Sequence, residues 1–152
     1  MVDAEDFWPE IESIEDPGSP VVLLRKQAEK LALKTGHRLR GQVSTSSGAF
    51  HFAAHVELGM PLDEEMGFTH SFRIEVPALD DYSYTLFTVS HGIESYPVIY
   101  QDDNQQWHAL ANSEALTDWL RETLTSEKTK RVLKTLLDQA GDASRSNPFD
   151  RR

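Results

Sequence analysis

Six histidines are the side chains in this sequence with the widest chemical reach. An imidazole can ligate a metal, carry a proton or change charge near neutral pH. His51, His55 and Glu57 share one face of an alternating stretch whose other face is Phe50, Phe52, Ala54, Val56 and Leu58. On a strand, positions four apart are separated by roughly 13 Å, whereas metal–ligand bonds are about 2 Å. No metal is therefore expected there unless a neighbouring strand adds a third group. His70 falls between Phe68 and Phe72 on an apolar face and reads as a buried imidazole with its hydrogen bonds satisfied. His91 follows Ser90, but adjacent strand residues point to opposite faces and cannot form a nucleophile–base pair. Ser44, Ser46 and Ser47 lie in no G-x-S-x-G elbow. No catalytic residue is singled out.

Acidic pairs occur at Glu64-Glu65, Asp80-Asp81 and Asp102-Asp103. None has the spacing of a calcium loop, and turns attract aspartate for backbone reasons alone. The chain has neither a G-x-G-x-x-G nor a P-loop sequence, so no nucleotide or other cofactor is implied. With no cysteine, disulfides, thiolate catalysis and cysteine-ligated metals are excluded.

The elements that must position these residues follow from periodicity. Ser19-Pro20 reads as a cap with proline at the first helical position. Leu24, Ala28, Leu31 and Ala32 then recur at helical spacing, and Gly36 supplies a stop, giving a helix over about 20–35. From Arg38 the period becomes two. Ser46-Ser47-Gly48 reads as a hairpin turn leading into a strand over Phe50–Leu58. Phe68, His70, Phe72, Ile74 and Val76 line one face of the next strand, and Tyr82–His91, Tyr96–Gln101 and Gln106–Ala109 follow. Asn112 or Ser113 caps a helix containing Leu116, Trp119, Leu120 and Leu124, and Ser126 caps another that ends at Gly141. The fold expected is α+β: an N-terminal helix, an antiparallel sheet of five or six strands over about 38–110, and two C-terminal helices packed on one sheet face. Residues 1–18 are expected to be an acidic disordered tail, 19–141 a single domain and 142–152 a polar tail.

Charge is distributed unevenly. The formal net charge is −10, yet residues 21–40 hold Arg25, Lys26, Lys30, Lys34, Arg38 and Arg40 against Glu29 alone. Residues 1–20 carry seven acids and no base, and residues 41–120 carry twelve acids and only Arg73. The average disfavours nucleic acid as a partner. No run of 18 apolar residues suggests a membrane span, and the first residues resemble no secretory signal, so a cytoplasmic location is expected. The candidate interaction surface combines the apolar pair Phe7 and Trp8 of the acidic tail, the basic helix residues Arg25, Lys26, Lys30 and Lys34, and the sheet tyrosines Tyr82, Tyr84, Tyr96 and Tyr100.

The stretch VPALDDYSYTLFTVSHGIESYPV over Val76–Val98 is similar to a segment of uncharacterised bacterial small proteins, as is LLRKQAEKLALKTGHRLRGQV over Leu23–Val43. The resemblance implies a bacterial origin, assigns no activity and transfers no functional residue.

The first functional expectation is a non-enzymatic protein–protein interaction module, an accessory, adaptor or inhibitor subunit with a protein partner; a homodimer is left open. The second is a small-molecule-binding or enzymatic domain with a pocket between sheet and helices, near His70, Tyr84 and His91. The third is an acidic inhibitor that mimics DNA through the sheet region.

Overall fold

A computed structural model describes residues 5–49, 57–59 and 66–146. Its long N-terminal helix follows a single exposed turn, α1 (Ile11–Ile14), and is labelled α2 (Pro20–Lys34). The expected apolar stripe is the one buried: Leu24 and Ala28 face the core and Leu31 packs against it. Left-handed Gly36 and His37 end the helix. The Thr35 hydroxyl then donates to the Leu31 carbonyl and accepts from the Leu39 N–H. That turn lays strand β1 (Arg40–Ala49) directly beneath α2.

Five antiparallel strands follow in simple order: β1, β2 (Met66–Val76), β3 (Tyr82–His91), β4 (Val98–Gln101) and β5 (Trp107–Leu110). Two expectations need correction here. The residues read as a hairpin turn, Ser46, Ser47 and Gly48, lie inside β1 opposite Thr69, Phe68 and Gly67 of β2. Turn-type residues are tolerated there because β1 is an edge strand among the described residues. Glu57 and Leu58 are helical rather than strand. The other positions of the expected 50–58 strand, His51 and His55 included, lie outside the described residues.

The β2 alternation places His70, Phe72, Ile74 and Val76 in the core. Against β3 the register slips by one residue after Phe72: Phe72 faces Phe87, and Arg73 faces Thr85. Leu86 is thus an extra residue in a β-bulge, which re-aims side chains locally. Both Leu86 and Phe87 consequently pack against the core. Phe87 stacks on Phe72 and meets Trp119 edge-on, with ring centroids 5.2 and 4.9 Å apart.

The β4–β5 turn is organised by Asp102. Its carboxylate accepts from the backbone N–H groups of Asn104 and Gln106 at 2.8 and 2.9 Å, and from His108 Nε2 at 2.7 Å. These bonds to His108 and Gln106 hold the Asp102 carboxyl below the usual carboxylate range. Asp102→Ala removes all three and is expected to lower stability, modestly because water replaces some of the bonding at this exposed site. Urea unfolding reads this as a midpoint shift; a midpoint unmoved within error would show that the turn does not depend on the carboxylate.

Two helices close the core, α3 (Ser113–Leu124) and α4 (Glu127–Ser146). Asn112 caps α3 by accepting from the Ala115 N–H at 2.9 Å, and Ser126 Oγ accepts from the Thr129 N–H at 3.2 Å. Leu116 and Leu120 of α3 and Leu136 and Ala140 of α4 are buried. Gly141 does not stop α4, which runs on to Ser146. Glycine weakens a helix interior by about 1 kcal/mol, and helical hydrogen bonding simply continues through this exposed position.

Candidate functional site

The helices do not fill the sheet face they cover. A cleft of about 460 Å³ lies between α2, α3, the start of α4 and the sheet, within the size range of ligand sites. Phe72, Ile74 and Leu86 form its floor, Leu23 and Leu31 of α2 one wall, and Leu120 and Leu124 of α3 the other. Leu86 reaches the floor because of the β3 bulge.

Its rim is basic. Lys26, Lys30 and Lys34 line the cleft from α2 and Arg121 lines it from α3. The three lysines recur every fourth residue, so they stand one above another beside the apolar stripe. Like charges at this spacing oppose helix formation by roughly 0.2–0.5 kcal/mol per pair. Several bases elsewhere have carboxylate partners, whereas Arg25, Arg38, Arg73 and Arg131 have none among the described residues. Lys128 pairs with Asp103 at 3.0 Å, Lys130 with Glu127 at 3.5 Å and Lys134 with Asp138 at 2.7 Å. Arg121 pairs with Asp118 at 3.2 Å on its own helix. Among the described residues, no carboxylate reaches Lys26, Lys30 or Lys34. An anion entering the cleft would relieve the repulsion within this stripe.

The other expected site residues lie elsewhere. Tyr84, Tyr96 and Tyr100 pack against the core, and only Tyr82, 48% exposed, projects into solvent. Tyr100 lies against Trp119 and His108, with ring centroids 4.6 and 5.0 Å away. The Tyr96 hydroxyl donates to the Gly18 carbonyl at 2.6 Å. Desolvation, then the nearby Asp16, raise its pKa above the ordinary tyrosine value. Arg25 is exposed on α2, outside the cleft lining. Phe7 and Trp8 are 87% and 81% exposed, and Ile11 and Ile14 are exposed beside them.

None of His70, Tyr84 and His91 lines the cleft. His70 and His91 are instead buried and bonded to each other, Nε2 to Nε2, at 2.8 Å. The proton positions follow from the ends of the chain of bonds. A carbonyl only accepts, so His91 Nδ1–H donates to the Gly92 oxygen at 2.7 Å. Neutral His91 then accepts at Nε2, His70 donates from Nε2, and His70 Nδ1 accepts from the Thr45 hydroxyl at 2.8 Å. Both rings are satisfied while neutral. No group of three candidate metal ligands occurs among the described residues.

No family model, curated protein or solved structure matches the chain. No helix among the described residues is long and apolar enough to cross a membrane.

The cleft residues Leu86, Leu120, Arg121, Leu124 and Leu133 were not expected from the sequence. The available signal was the Leu116, Leu120, Leu124 stripe with Arg121 beside it, which marks a basic edge next to an apolar face.

Proposed function

We propose that the chain is a non-enzymatic interaction module of a bacterial system whose cleft receives an acidic, apolar peptide segment of a partner protein. The observation that carries this reading is the apolar cleft bordered by a lysine stripe that has no carboxylate partner among the described residues. Helix-in-groove recognition uses such a surface: apolar anchors enter the groove, and charges at its rim set orientation and partner choice.

The test is displacement of 1-anilinonaphthalene-8-sulfonate, an apolar anion suited to the cleft. A synthetic peptide alternating glutamate with leucine or tryptophan is expected to displace it, and polyglutamate is not. Replacing Lys26, Lys30 and Lys34 together by Glu is expected to weaken dye and peptide binding about tenfold or more. Binding that is unchanged in this variant would sink the proposal.

The cleft volume also suits a second reading, an amphipathic small anion such as a fatty-acid carboxylate. Displacement by dodecanoate but not by the peptide would select that reading.

A further inference from the structure

We infer that the acidic segment 5–16 of one copy seats in the cleft of a second copy, so that two chains exchange arms. This rests on the cleft reading above and names one occupant for it. The segment has the chemistry that the cleft lacks. Glu5, Asp6, Glu10, Glu12, Glu15 and Asp16 carry its charge with no base among them. Trp8, Ile11 and Ile14, spaced every third residue, supply apolar anchors that stay more than half exposed in their own chain. The cleft offers the complement, a leucine-lined trough beside three lysines with no carboxylate partner among the described residues.

The segment does not occupy the cleft of its own chain, since none of residues 5–16 lines it. The Ser19 N–H donates to the Asp16 carbonyl at 3.1 Å, and the Gly18 N–H donates to the Asp16 carboxylate at 2.8 Å. Tyr96 holds the Gly18 carbonyl on the body of the domain. This turn anchors the C-terminal end of the segment, and in its own chain Trp8 stays 81% exposed. A two-fold pair closes the arrangement, with each arm in the other's cleft.

Sedimentation of the full-length chain across a concentration series tests this. A shift from monomer to dimer mass is expected, and it is lost in Phe7→Ser/Trp8→Ser/Ile11→Ser and in Lys26→Glu/Lys30→Glu/Lys34→Glu. All six positions carry exposed or rim side chains, so both variants keep the fold. Mixing the two variants is expected to restore a dimer held by one arm and one cleft. A chain that stays monomeric, a dimer that neither variant disturbs, or a mixture that does not associate overturns the inference. A monomer whose cleft excludes the dye until the arm residues are replaced also overturns it, in favour of the arm folding back. The cleft reading fails separately: the arm variant, with its cleft open, then shows no lysine-dependent dye binding.

Discussion

Gly41→Ala is expected to destabilise the protein by about 2–3 kcal/mol, the range of overpacking a core. Gly41 sits in β1 opposite Ile74, on the sheet face that α2 covers. A Cβ there would lie 2.5 Å from the Ala28 Cα, 2.7 Å from its Cβ and 3.0 Å from its carbonyl oxygen. Two of those three atoms are helix backbone, so no rotamer change can make room. Relief requires α2 to lift from the sheet, which loosens Leu24 and Leu31 together. The gain from replacing a flexible glycine, roughly 0.5–1 kcal/mol, offsets only part of this. Urea unfolding should show a lower midpoint with an unchanged slope. Ala28→Gly in the same chain should restore little, because the Ala28 Cα and carbonyl remain. Full rescue would mean that the clash is with the methyl alone. Stability within about 0.5 kcal/mol of the parent would mean that helix and strand are not in close contact. Because α2 supplies one wall of the cleft, Gly41→Ala should also weaken dye binding.

The same pair shows what was legible in the sequence. Leu24, Ala28 and Leu31 gave away the buried face of α2 because helical spacing is local. The alternation over Phe68–Val76 showed which side of β2 faces the core for the same reason. Asn112 marked the start of α3. What distant segments decide was hidden. Ser46-Ser47-Gly48 has turn chemistry, yet pairing with Thr69, Phe68 and Gly67 keeps it extended. The bulge at Leu86 exists only in the register between β2 and β3. Half of the cleft was visible, since the stripe Lys26, Lys30 and Lys34 lies within one helix. Its floor and opposite wall come from distant residues such as Phe72, Leu86 and Leu120, so the lysines read as part of an interaction surface but not as the rim of a cleft. His70 and His91 are 21 residues apart, and only the pairing of β2 with β3 brings their rings together.

That pairing governs the last expected result. Lowering the pH from 7 to 4 should weaken the fold by about 3 kcal/mol through His70 alone. Burial, then His91 and Arg25, push its pKa from 6.5 down to about 4. Between these two values the unfolded chain binds a proton that the folded chain refuses, so stability falls as pH drops through this window. Above pH 6.5 both states are neutral at His70, and below about 4 both are charged, so the slope vanishes at either end. Asp102 acts in a separate window. Its lowered pKa contributes stability above 3.8 that is lost only as pH falls further. His70→Phe separates the two. Removing the bonds to Thr45 and His91 should cost about 1–2 kcal/mol at pH 7, while the His70 slope between pH 6.5 and 4 disappears and the Asp102 loss below 3.8 remains. Near pH 4.5 the variant should therefore be the more stable protein. If unfolding curves instead kept the full slope without His70, its burial beside His91 would not be the origin of the acid sensitivity. The inversion has a simple cause: the Thr45–His70–His91–Gly92 chain of bonds is complete with neutral rings. A proton added at His70 Nδ1 would face the Thr45 hydroxyl and force it to give up its role as donor.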